Sequence, residues 1–173
     1  MRIFLPYLVL SALAVLTACS PSEIRGPQIG PDGLPLPTVY KIRASDEDDI
    51  KIRMLDSVNA LRRAAGVGEV TMDARLNAAA ATHARDMALQ NRPWHFGSNL
   101  ASPIDRVART GYDGYFVGEA ISETYENETE TLSAWMSEDY TRSLLLDSRA
   151  TRMGFDWFQE ENGKLWWTLV LGS

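Results

Sequence analysis

The chain has 173 residues, 45% of them hydrophobic, with five tryptophans, and carries a formal net charge of −6. That is enough apolar material for one packed domain without disulfides or structural metal. The acidic balance, with no clustered basic run, argues against nucleic acid as a partner and against electrostatic docking on anionic lipid.

At the N-terminus, Arg2 precedes an apolar run from Ile3 to Leu16 that contains Pro6. A membrane-spanning helix needs about 20 residues, so this run is too short to span and reads as a cleaved export signal. Its end, Leu16-Thr17-Ala18-Cys19, resembles the lipobox of bacterial lipoproteins. The resemblance implies removal of residues 1–18 and lipid attachment at Cys19, palmitate being one such acyl group. Cys19 is the only cysteine in the chain, so no internal disulfide competes for it. Two or more acyl chains, at about 0.8 kcal/mol per buried CH₂, hold a protein on a bilayer almost permanently. The expected location is the bacterial cell envelope, lipid-anchored and facing the periplasm. Ser20 after the cysteine, in place of an aspartate, resembles the outer-membrane pattern rather than the inner.

Residues 19–45 are expected to form a tether, because Pro21, Pro27, Pro31, Pro35 and Pro37 alternate with glycines and show no period. The folded domain is expected over 46–173. Asp46 to Asp49 place negative charge at a helix start, and Ile50, Met54, Leu55, Val58 and Leu61 recur at helical spacing up to Gly66. A second helix is predicted from Asp73, as N-cap, to Gln90, with Leu76, Ala79, Ala80, His83 and Met87 on one face and Pro93 beyond its end. Ser102-Pro103-Ile104-Asp105 opens a short helix that Gly111 closes, with Ile104, Val107 and Ala108 as its apolar positions.

Tyr115 to Thr124 alternates as a strand, with Phe116, Gly118, Ala120 and Ser122 on one face and Val117, Glu119, Ile121 and Glu123 on the other. A helix follows from Glu128 to Asp139. Two β-rich runs, Thr151 to Gln159 and Lys164 to Leu171, join through Asn162-Gly163 as an antiparallel hairpin. Helices first, then strands with a helix among them, give an α+β layered domain.

Several ordered pieces resemble the CAP superfamily of SCP-like domains, in its short, cysteine-free bacterial branch. They are Val58-Asn59-Ala60-Leu61-Arg62 before Gly66, Leu76 with Ala80 and His83-Ala84-Arg85-Asp86-Met87, His95, Pro103-Ile104-Asp105-Arg106 running to Gly111-Tyr112, and Gly118-Glu119. Trp135-Met136, Arg142 before Leu145-Leu146-Asp147, and Met153-Gly154 leading to Trp166-Trp167-Thr168 complete the series. The resemblance implies a three-layer α-β-α sandwich around a central antiparallel sheet. It also implies a shallow cleft in which two histidines and two glutamates can bind a divalent cation. His95 matches the first histidine and Glu119 the glutamate of the Gly-Glu-Asn motif, with Ala120 in place of the asparagine. The second histidine is replaced by Thr141.

Two functions follow from that pattern. In the first, a degenerate cleft of His95, Glu119, Thr141 and Glu123 serves a non-catalytic binding module for a lipid, glycan or envelope protein. In the second, a divalent cation such as zinc, held by His95, Glu119 and His83, assists hydrolysis with Glu123 as general base. His83 lies among apolar helix positions and is expected to pack inward, with Asp86 placed to orient it. The sequence carries no Gly-x-Ser-x-Gly elbow, no His-Glu-x-x-His pair and no phosphate-cradling loop.

Overall fold

A computed structural model describes residues 40–173; the export signal, Cys19 and most of the tether lie outside the described residues. A single 3₁₀ turn, Ala44–Asp46, leads into α1, Glu47–Ala64. Then come β1, Thr71–Met72, α2, Ala74–Gln90, and α3, Pro103–Arg109. The second half contains β2, Phe116–Thr124, α4, Glu128–Ser137, α5, Asp139–Leu145, β3, Arg152–Gln159, and β4, Leu165–Gly172. The sheet order is β1-β3-β4-β2, with only the short β1 parallel to its neighbour.

The sheet separates two apolar layers. On one side Leu165, Trp167, Leu169 and Leu171 of β4 meet Ile50, Met54 and Val58 of α1, with Leu132, Trp135, Leu144 and Leu145 of α4 and α5. On the other side Val170 and Trp166 meet Leu76, Ala79, Ala80, Ala84 and Met87 of α2. The alanines let α2 lie close to the sheet. At Gly154 of β3 an added Cβ would stand 2.1 Å from the Leu76 carbonyl carbon.

Local chemistry sets the ends of these elements. Asp73 caps α2 by accepting from the Arg75 and Leu76 N–H groups at 2.8 and 3.1 Å. Its C-terminus is fixed by Asn91 at φ 48°, two residues before Pro93. Ser102 and Asp105 form the expected capping box of α3. Gly163, at φ 95°, makes the hairpin turn.

Four features differ from expectation. The helix after Glu128 breaks at Glu138, which is extended at φ −94°, ψ 130°, and restarts as α5. A bulge between Phe116 and Gly118 places Val117 with the α1 layer and Phe116 with the α2 layer, reversing both relative to simple alternation. In α3 it is Arg106 and Val107 that turn inward, while Ile104 is 62% exposed. Tyr40 and Ile42, placed in the tether, dock on the domain: Gln159 donates to the Tyr40 carbonyl at 2.7 Å and accepts from the Ile42 N–H at 3.0 Å.

Candidate functional site

The inner face of α2 brings His83 under the edge strand β2, where Glu119 points back toward it. The segment between α2 and α3 then carries His95 over the same carboxylate. That segment is pinned at several points: Trp94 Nε1 donates to Gln90 Oε1 at 2.8 Å, Gln90 Nε2 donates to the Phe96 carbonyl at 3.2 Å, and the Arg92 guanidinium lies 4.0 Å from the Trp94 ring centre. Arg106, from the inward face of α3, completes the group.

Three of these side chains converge on the buried carboxylate of the fourth, Glu119. Glu119 Oε2 accepts from Arg106 Nη2 at 2.6 Å, and Oε1 lies 2.9 Å from His95 Nδ1 and 3.5 Å from His83 Nε2. Arg106 Nη2 also reaches the His95 carbonyl at 3.4 Å. The Glu119 and His83 side chains are 1% and 0% exposed, whereas that of His95 is 42% exposed. His95 therefore forms the accessible rim of an otherwise sealed cluster.

Burial lowers the His83 pKa to about 4, against the opposing pull of Glu119, with Arg106 adding to the depression. His83 is thus neutral at pH 7. Burial acts on Glu119 in the opposite sense, but His95, His83 and Arg106 together outweigh it and hold the carboxyl below its ordinary range. With His83 uncharged, the guanidinium is the permanent counter-charge. An ionised Glu119 requires His95 Nδ1 to carry the proton, which leaves Nε2 as the free ring nitrogen on the rim.

The remaining candidates lie elsewhere. Glu123 is on the same strand face as Glu119 but four residues along, roughly 13 Å at 3.3 Å per residue. Its Oε1 pairs with Lys164 Nζ at 3.0 Å. Thr141 is on α5, which packs against the other face of β2 through Leu144 and Gly118. Its hydroxyl donates to the Trp135 and Glu138 carbonyls and bridges the α4–α5 break. Asp86 does not orient His83; it accepts the Ser98 N–H at 2.8 Å. Of the aromatics in these segments, Tyr115 is 82% and Phe96 44% exposed, while Trp94, Tyr112 and Phe116 are half-buried. Arg106 is the site residue that local patterning missed, because an arginine two positions after Ile104 reads as solvent-facing.

A model of the cysteine-rich secretory protein family, CAP, matches residues 55–171. The chain belongs to the CAP family. The Bacillus subtilis (strain 168) protein YkwD is 25% identical over 121 residues, which cover 70% of this chain and 46% of YkwD. The chain thus spans about half the length of that curated relative. Among solved structures, an outer surface protein of Borrelia burgdorferi shares the fold at a TM-score of 0.64 and 16% identity, over 79% of this chain and 98% of that one. An SCP-domain extracellular protein of Bacillus anthracis str. Ames gives 0.67 and 18%, over 78% and 45%.

Within the CAP fold, the cation cleft implied by the sequence can be tested against the side chains present. The two imidazoles and Glu119 do converge, but Arg106 already occupies the second carboxylate oxygen. A divalent ion sharing that carboxylate would stand beside a fixed positive charge in a buried setting. The position of the second family histidine is held by Thr141, whose hydroxyl is directed to main-chain carbonyls. Among the described residues no group of three or more His, Cys, Asp or Glu is arranged to hold a metal ion. These residues do not fit the cation site that the family pattern implies.

Proposed function

We propose that this protein is a lipid-anchored CAP domain of the bacterial envelope that acts as a non-catalytic binding module. The observation that carries the reading is the closed charge balance around Glu119. With Arg106 on one oxygen and His95 on the other, the Glu119 carboxylate is committed to internal partners, and the His95 Nε2 left on the rim stands without a second ligand or a nucleophile beside it among the described residues. The hydrolase reading needs Glu123 beside the cluster, and Glu123 is instead paired with Lys164. Two structural relatives, an outer surface protein and an extracellular protein, agree with an envelope location for this chain. The anchor at Cys19, the periplasmic orientation and the preference for the outer membrane rest on the lipobox resemblance and on Ser20. Ligands consistent with an envelope module are a lipid, a glycan or an envelope protein.

Calorimetric titration of zinc into the full chain in detergent is the deciding experiment. No saturable binding is expected at micromolar metal. Stoichiometric binding that His95→Ala removes would overturn the reading in favour of a metal-assisted hydrolase.

A further inference from the structure

Two hollows lie against α2 where it faces α3 and the turn at 97–101. The first, of about 210 Å³, has Thr82 and Asp86 on the α2 side and Arg106, Arg109 and Thr110 on the α3 side. The second, of about 330 Å³, shares Thr82, Asp86 and Asn99 with the first and extends to Arg85 and Leu89. Asp86 therefore stands at the junction of both.

The charges around the first hollow are unevenly compensated. Asp86 on one wall and Arg109 on the other enter none of the ion pairs among the described residues. Asp86 is nonetheless held in place: Oδ2 accepts the Ser98 N–H at 2.8 Å, and a Cβ on Gly97 would sit 2.7 Å from that same oxygen. Its Oδ1 has no protein donor among the described residues. Arg106, whose side chain is 6% exposed, directs Nη2 to Glu119 and the His95 carbonyl. Its Nε is buried without an acceptor, and Nη1 donates to none of the described residues, the side chain's hydrogen bonds all being made by Nη2. A guanidinium carries five N–H donors, and leaving several unused beside a polar cavity is costly unless something in the cavity accepts from them.

An unpaired carboxylate and an unpaired guanidinium thus face one cavity from opposite walls without meeting. A simple anion would meet the arginines but be repelled by Asp86. A simple cation would meet Asp86 but be repelled by the arginines. A molecule carrying both signs a few ångströms apart satisfies all three groups.

We propose that this hollow binds a small zwitterion, an amino acid or a very short peptide, with its carboxylate on Arg109 and Arg106 Nη1 and its ammonium on Asp86. The shared wall at Asp86 and Asn99 lets the ligand's side chain extend toward Leu89 in the second hollow. The proposal rests on the domain being a binding module, but it uses a different face of Arg106 from the Glu119 cluster.

The test is saturation-transfer NMR on the full chain in detergent, with glycine, leucine and glycylglycine as zwitterionic probes and acetate and methylammonium as single-charge probes. At least one zwitterion is expected to saturate, about tenfold or more tighter than either single-charge probe. Asp86→Asn, which retains an acceptor for the Ser98 N–H, and Arg109→Gln, at an exposed position, should each weaken it about tenfold with an unchanged melting temperature. If Asp86→Asn proves unstable, Arg109→Gln alone decides. Acetate binding as tightly as the zwitterions, or no zwitterion saturating by about 10 mM, would overturn the proposal. Zinc binding at Glu119 would overturn the non-catalytic reading while leaving this result standing.

Discussion

Two buried arginines take positions usually filled by apolar residues. Arg62, fully buried on α1, donates to the carbonyls of Gly68, Leu145 and Ala150 at 2.6, 2.7 and 2.9 Å, tying the α1–β1 connection, the end of α5 and the α5–β3 connection to one helix. Arg106, also buried, neutralises Glu119. Removing one partner of a buried charge pair leaves the other unpaired, which typically costs about 3–5 kcal/mol. Arg106→Met should therefore lower stability by roughly that amount in urea unfolding, and Arg106→Met combined with Glu119→Gln should recover a large part of the loss. His83 gives a second residue-scale test. Its folded pKa of about 4 lies below the ordinary value of 6.5, so the unfolded chain binds the extra proton first as pH falls. Stability from this group is complete above pH 6.5 and is lost as pH falls toward 4. The loss is on the order of 3 kcal/mol. Glu119, also held below its ordinary range, begins to lose its share as pH falls through its ordinary value of 4.5, at the acid end of the His83 window. His83→Gln should flatten the dependence of the urea midpoint on pH between 6.5 and 4.5, while leaving the acid limb below it.

At the scale of elements, the site depends on how closely α2 lies on the sheet. Gly154 makes that approach possible, since its missing Cβ would fall within 2.4 Å of the Leu76 carbonyl oxygen and the Asn77 nitrogen. Asn77 then closes the contact by accepting the Phe155 N–H at 2.8 Å. Gly154→Ala pushes backbone against backbone, with no flexible side chain to give way, so a loss near the upper end of the usual range of about 1–3 kcal/mol for overpacking is expected. Thermal unfolding measures that loss, and the His83 and His95 NMR signals should shift with it because α2 carries His83. The elements that local patterning made legible were those with their own caps: α2 behind Asp73, α3 behind Ser102 and the hairpin at Gly163. The bulge in β2 and the break at Glu138 were not legible, because both are imposed by packing. Leu144 against Gly118 and the Trp135 N–H donated to the Ile121 carbonyl fix where α5 and α4 sit. The cluster was legible in part for a related reason. His95 and Glu119 stood out by type, whereas Arg106 became visible only when α3 was seen to turn it inward and expose Ile104.

For the whole molecule, the proposed reading assigns location to the tether and recognition to the domain. The described domain has no helix long and apolar enough to cross a membrane, and the chain's net charge of −6 opposes adsorption to anionic lipid. On the proposed reading, membrane retention comes from acyl chains at Cys19. One chain alone would hold only marginally, whereas the multiple chains that the lipobox pattern implies would hold nearly permanently. Cys19→Ala should accordingly abolish incorporation of a palmitate analogue and move the protein out of the membrane fraction in a single step. The domain should be unaffected, because its layers, its buried arginines and the Glu119 cluster are all made within residues 40–173. Its melting temperature in the variant should match that of the parent. Persistence of the variant in the membrane fraction after a high-salt wash would show instead that the folded domain itself carries a lipid-binding surface.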